Sequence, residues 1–195
     1  TSIERGGTAQ FFQYDSMGRV DLTYKTGNQE VVDFSYDTVG SVFVNDGLGT
    51  TTLFYDHRGL LVKVQDPFGN ITQSQFDNHS RLTGITLPTG ESQAFKWDPS
   101  GNLTTLTDEL GHTSHFEYGH SLNRLTKLTD AKGNTTRYSY DAAGNLLATT
   151  YANNSVERYS DYDPQGLPQQ YTNRRGQVMS YQYNTAGQVN RQTFD

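Results

Sequence analysis

The sequence has no cysteine, five prolines and a single tryptophan, and only 18% of its 195 residues are charged. Without cysteine there is no disulfide framework and no thiolate metal site, while the compartment stays open. Apolar residues make up 33% of the chain, and no run of them approaches the roughly 20 needed for a membrane-spanning helix. The opening residues, TSIERGGTAQ, lack the apolar segment of a secretion signal, so any export signal is expected elsewhere. The net charge is −6 and there is no basic run, which argues against nucleic acid as a partner. Against these shortages stand 12% aromatic residues and 19 glycines. Disordered chains rarely hold so many aromatics, and little aliphatic content with much aromatic, Thr and Gly suits strands and tight turns over a thin core.

An aromatic residue followed by Asp, two variable residues and Gly recurs along the chain. The aromatic anchors are Tyr14, Tyr36, Tyr55, Phe76, Trp97, Tyr118, Tyr140, Tyr162 and Tyr183, with gaps of 22, 19, 21, 21, 21, 22, 22 and 21 residues. Asp follows seven of them (Asp15, Asp37, Asp56, Asp77, Asp98, Asp141 and Asp163), with Gly119 and Asn184 as exceptions. Gly stands four residues after seven anchors, at Gly18, Gly40, Gly59, Gly101, Gly144, Gly166 and Gly187. A second turn falls mid-period, marked by Gly27, Gly49, Gly69, Gly90, Gly111, Gly133 and Gly176, with Asn154 in the one unit that lacks glycine. Asp46, Asp66, Asp108 and Asp130 precede four of these glycines by three residues.

The pattern is that of hairpin turns. Asp at the first position of a type I turn accepts backbone N–H groups, and Gly three residues on adopts the left-handed conformation that closes a bulged hairpin. Two turns per period leave about six or seven residues per strand and about seventeen strands in all. A glycine-centred turn every ten residues or so leaves little room for helix.

Side chains two apart share a strand face. The pairs Phe12/Tyr14, Phe34/Tyr36, Phe95/Trp97, Phe116/Tyr118, Tyr138/Tyr140 and Tyr181/Tyr183, with aliphatic residues after each turn, predict one aromatic and aliphatic face. The other face is expected to be Thr, Ser, Gln and Asn. Open twisted sheets of this length curl, so the fold expected is all-β: tandem antiparallel β-hairpins in a strongly curved, spiralling sheet. Residues 1–195 read as one array of about nine repeats, incomplete at both ends, an excerpt whose exposed edge strands invite self-association.

The segments Tyr140-Asp-Ala-Ala-Gly-Asn-Leu146 and Leu128-Thr-Asp-Ala-Lys-Gly-Asn-Thr-Thr136 resemble the YD repeats of Rhs proteins. Similar repeats occur in the C components of insecticidal Tc toxins, in wall-associated bacterial toxins and in teneurins, and the resemblance covers almost the whole chain. It implies a segment of a hollow barrel or cocoon that encapsulates a polymorphic C-terminal toxin domain until delivery. The partners implied are the rest of the repeat shell and that toxin cargo, in a secreted or cell-surface bacterial protein. The alternative is an extracellular adhesion module that binds a carbohydrate or a protein. The family also has an autoproteolytic segment around Asp-Pro-x-Gly, and Asp161, Asp163, Pro164 and Gly166 look superficially like it. Leu167-Pro168 stands where an Arg-aromatic run is expected, so this is read as an ordinary repeat turn.

No catalytic residue, metal ligand or cofactor is expected. The recurring carboxylates read as turn residues, because a catalytic group would not appear in nearly every repeat. The structural set is Asp15, Gly18, Asp37, Gly40, Asp56, Gly59, Asp66, Gly69, Asp98, Gly101, Asp108, Gly111, Asp130, Gly133, Asp141, Gly144, Asp163 and Gly166. His112, His115 and His120 are close in sequence but fall on a turn, a strand and the next turn. Trp97 is the candidate for stacking on a ligand, with cross-strand packing as the plainer role of the aromatics. The unit at Tyr118 holds an extra residue, and a bulge or a longer loop, with Leu122 in place of the turn glycine, is expected there.

Overall fold

The computed structural model describes residues 2–5, 8–27, 29–119 and 121–194. Every regular element among them is a β-strand, nineteen in number, two more than the sequence spacing suggests. The extra elements are an N-terminal strand and a full return strand after the last anchor. The chain divides into two compact units, Thr1–Ala94 and Phe95–Asp195.

The first unit contains β1 (Ser2–Arg5), β2 (Thr8–Tyr14), β3 (Val20–Lys25), β4 (Gln29–Tyr36), β5 (Ser41–Asn45), β6 (Thr50–Tyr55), β7 (Leu61–Gln65), β8 (Ile71–Phe76) and β9 (Leu82–Thr86), and it ends within β10 (Ser92–Trp97). Each strand pairs antiparallel with its sequence neighbour, from β1 with β2 through β9 with β10. The second unit continues with β11 (Leu103–Thr107), β12 (Thr113–Tyr118), β13 (Leu125–Thr129), β14 (Thr135–Tyr140), β15 (Leu146–Thr150), β16 (Val156–Tyr162), β17 (Pro168–Thr172), β18 (Val178–Tyr183) and β19 (Val189–Phe194). There too, from β11 to β19, each strand pairs antiparallel with the next. Every anchor is the last residue of its strand, so the aromatic-Asp step marks the point where pairing yields to the turn.

Most of the anchor hairpins carry a one-residue β-bulge. Tyr14 faces Val20 while Gln13 faces Leu22, which leaves Asp21 as the extra residue. The same offset recurs after Tyr55, Phe76, Tyr118, Tyr140 and Tyr183. Such bulges increase local twist, and here one is built into the repeat itself.

The expected two faces hold in the second unit. Phe116 faces Leu128 and Tyr159 faces Tyr171, while the opposite face pairs His115 with Thr129 and Lys127 with Arg137. In the first unit both faces carry aromatics. Phe11 stacks on Tyr24 across β2 and β3, with ring centroids 5.1 Å apart, and Lys63 sits 3.5 Å over the Phe54 ring. A wholly polar second face is therefore wrong for the first unit, because Phe11, Tyr24 and Phe54 sit out of phase with the anchors. Among the described residues no apolar side chain is buried, and the side chains that are buried are those of Thr23, Ser41 and Thr149. Each apolar stripe is half-covered by its own neighbours, so ladder and turns carry a large share of the structure.

Candidate functional site

The turns are built alike. At the first one, Asp15 N donates to Arg19 O at 2.9 Å and Gly18 N to Asp15 O at 3.0 Å. The carboxylate Oδ1 of Asp15 accepts Met17 N and Arg19 N, both at 2.9 Å. The glycine sits at φ +77°, where an L side chain is strained. The same paired backbone bonds close the turns at Asp56, Asp66, Asp98, Asp108, Asp130, Asp141 and Asp163 with Gly59, Gly69, Gly101, Gly111, Gly133, Gly144 and Gly166. At Asp37 the bond from Asp37 N to Ser41 O is kept, and Gly40 lies at φ +94°.

The residue after the left-handed turn position supplies a second clamp that the sequence reading overlooked. Arg19 and Arg81 donate Nε to Oδ2 of Asp15 and Asp77, at 2.8 and 2.7 Å. Asn70, Asn102, Asn134 and Asn145 donate Nδ2 to Asp66, Asp98, Asp130 and Asp141 at 2.7–2.9 Å. His112 Nδ1 stands 3.1 Å from Asp108 Oδ2. These bonds favour the ionised form. For Asp15 the backbone N–H of Arg19 is the largest influence holding the carboxyl below its usual range. Asp77 is pushed up by desolvation, yet the Arg81 and His79 hydrogen bonds bring it down to about 2.

Successive repeats are joined by the anchor hydroxyls. Tyr36, Tyr118, Tyr140 and Tyr183 donate to the carbonyls of Val20, Leu103, Leu125 and Pro168, at 2.6, 3.1, 2.8 and 2.7 Å, and Tyr162 donates likewise to Leu146. Each acceptor opens the return strand of the preceding repeat. Burial, more than any neighbouring charge, pushes the phenols of Tyr118, Tyr140, Tyr162 and Tyr183 up. This explains why tyrosine predominates among the anchors, a preference with no visible reason in the sequence.

Three turns and one strand depart from expectation. The loop after β5 is not an Asp46–Gly49 turn of the common kind. Asn45 pairs with Thr50, Asn45 Oδ1 accepts Gly47 N, Asp46 Oδ1 accepts Leu48 N, and both Gly47 and Gly49 have positive φ. In the Tyr118 unit it is Asn123, at φ +52°, and not Leu122, that takes the left-handed position, because Asn tolerates it and Leu does not. Ser80 fills the corresponding place after Phe76, at φ +63°. In β16, Asp161 sits at φ +54° within the strand, and Tyr159 and Tyr162, three apart in sequence, are both half-buried while Ser160 and Asp161 between them are exposed. The turn at Gly27 involves residue 28, which lies outside the described residues.

The remaining candidates stay apart or are occupied. His112 is in its turn with Asp108 and His115 is on β12, while His120 lies outside the described residues. Among the described residues no three His, Cys, Asp or Glu side chains are grouped to hold a metal ion. Trp97 is half-buried at the end of β10. A polar cluster that the sequence did not announce sits on the aromatic face of the second unit. Glu157 accepts Tyr151 Oη at 2.9 Å and Arg174 Nε at 3.0 Å, and the Arg174 guanidinium lies 3.7 Å from the Tyr151 ring centre.

Turn clamps, tyrosine links and neighbour-only pairing define a scaffold made of repeated β-hairpins. The sequence model of the teneurin YD-shell family matches residues 5–194. The chain belongs to this family, and its role is that of a structural shell. It is 29% identical over 109 residues to "Probable deoxyribonuclease RhsB" of Dickeya dadantii, covering 55% of this chain and 8% of that protein. It is 32% identical over 100 residues to "Double-stranded DNA deaminase toxin A" of Burkholderia cenocepacia, covering 50% of this chain and 7% of the relative. The fold is that of the structure described as TcdB2-TccC3-Cdc42, with TM-score 0.63 and 14% identity over 98% of this chain and 14% of the other. The TcdB2-TccC3 structure matches similarly, with TM-score 0.62, 14% identity, and 98% and 15% of the two chains. Among the described residues no helix is long and apolar enough to cross a membrane.

Proposed function

We propose that this chain is a stretch of continuous YD-repeat wall that helps enclose a toxin domain and keeps it from its target until delivery. The observation that carries this reading is the unbroken neighbour-to-neighbour pairing in each unit, reinforced by the tyrosine links between repeats. A hydrogen-bonded wall leaves no loop long enough to enter a protease cleft, and an enclosed domain cannot reach its substrate. The toxin names of the two bacterial relatives support a cargo of that kind, whose activity would belong to the cargo and not to the wall. In this reading the nine repeats form one array within a longer shell, the turn Asp and Gly residues are structural, and the chain is exported with its cargo. The test is protease protection of the cargo in the full-length shell protein, with and without Gly144→Val in this stretch. Containment predicts a protected cargo in the parent and a cleaved one in the variant. Equal cleavage of both would overturn it.

A further inference from the structure

Six of the seven aromatic-Asp turns give the carboxylate a side-chain donor. It is a guanidinium for Asp15, Asp56 and Asp77, an amide for Asp98 and Asp141, and the Ser41 hydroxyl for Asp37. The seventh is Asp163. The position after its glycine is Leu167, and both backbone donors, Gln165 N and Leu167 N, go to Oδ1 at 2.9 Å. Among the described residues Oδ2 of Asp163 has no donor. Beside it opens a groove of about 680 Å³, lined by Asp163, Gln165, Leu167, Gln169, Tyr183 and the Asn184–Gly187 turn. No basic side chain lines it.

The first unit shows what such a pair of walls holds. The Arg19 guanidinium grips Asp15 Oδ2 through Nε at 2.8 Å and Nη2 at 2.7 Å, and its carbon lies 4.0 Å from the ring centre of Tyr36, the next anchor. Tyr183 is the next anchor after Asp163, and its hydroxyl is tied to Pro168 O as that of Tyr36 is tied to Val20 O. Carboxylate and ring are therefore both present at the groove, and only the guanidinium between them is missing. We propose that this groove receives an arginine side chain presented by a partner polypeptide. A planar guanidinium can meet the free carboxylate oxygen through its fork while its face covers the Tyr183 ring, whereas a lysine offers a single point charge. The exposed glutamine amides at the rim can accept the remaining N–H groups. The proposal does not depend on the containment reading.

The test is a titration of the 195-residue chain, followed by backbone amide NMR, with acetyl-Gly-Arg-Gly-amide and its lysine counterpart. The expected result is saturable shifts at Gln165, Leu167 and Asn184–Gly187 in the millimolar range, at least about threefold weaker with lysine. Asp163→Asn keeps the turn, since Asn173 and Asn184 cap theirs the same way, and should weaken binding about tenfold or more. Leu167→Arg should supply the guanidinium from within, raise the melting temperature and abolish the response. No saturable shift, an Asp163→Asn variant that titrates like the parent, or equal binding of the lysine peptide would each overturn the assignment.

Discussion

The hydroxyl of Tyr140 donates to the carbonyl of Leu125 at 2.8 Å, so the last residue of one hairpin strand is tied to the first residue of a return strand in the repeat before it. The two residues lie on β13 and β14, which pair with each other directly through Lys127–Thr129 and Thr135–Arg137, and the hydroxyl adds a contact that this ladder alone does not supply. Tyr140→Phe removes only this bond and leaves the ring, as Phe76 does naturally in its own repeat. We expect a loss of about 1 kcal/mol in urea unfolding, with an unchanged denaturant slope. A variant as stable as the parent would show that the hydroxyl contributes nothing.

Gly144 and Gly101 separate two effects of a turn glycine. Both have strongly positive φ, +89° and +88°. A Cβ on Gly144 would meet Arg124 Nη2 at 3.1 Å and Leu122 Cδ1 at 3.3 Å, while one on Gly101 meets nothing within 4 Å. Gly144→Val should cost about 2 kcal/mol or more, and Gly101→Val somewhat less, since only the backbone strain applies there. Gly101→Asn should be milder still, as Asn154 holds the same conformation at φ +62°. Thermal melting of the three variants checks the order.

Ser80 is the converse case. It holds a left-handed conformation at φ +63° in a turn that otherwise matches its glycine siblings. Ser80→Gly should stabilise the chain by about 0.5–1 kcal/mol, the relief of strain exceeding the extra freedom given to the unfolded chain. A lower melting temperature would show that the serine side chain has a compensating role.

Nine of the turn carboxyls, from Asp15 to Asp141, are held below their ordinary range by the hydrogen bonds they accept. A depressed folded-state value means stabilisation that is complete above the unfolded value near 4 and is lost as pH falls through the folded value. Asp77, at about 2, sets the lower end of that window. Stability should therefore be level from neutral pH to about 5 and fall steeply between about 4 and 2. Circular dichroism melts across that range provide the measurement, and a flat profile would contradict the turn geometry.

The strand boundaries were legible because the aromatic-Asp-x-x-Gly motif carries both a face and a turn at one spot. Residues whose role depends on a neighbouring repeat were not. Nothing in the sequence around Tyr140 points to Leu125, since the bond spans repeats and ends on a backbone carbonyl. The Arg or Asn after the left-handed turn residue was visible at Arg19, Arg81, Asn102 and Asn145, but its target is Oδ2, and side-chain geometry does not follow from spacing. Asp161 hid for another reason. A period-two reading places Tyr159 and Tyr162 on opposite faces, yet both are half-buried, with a left-handed residue between them. In the Tyr118 turn the count from the anchor picked out Leu122, whereas the added residue moves the left-handed position to Asn123.

Neighbour-only pairing has a kinetic consequence. Every strand finds its partner within a few turns of chain, so the entropy of closing each loop is small and contact order is low for a protein made wholly of strands. Such a sheet can grow hairpin by hairpin as the polypeptide emerges from the ribosome, each new pair laid on the edge left by the last. Its growing edge, an open row of backbone donors and acceptors, is also where misassembly would begin.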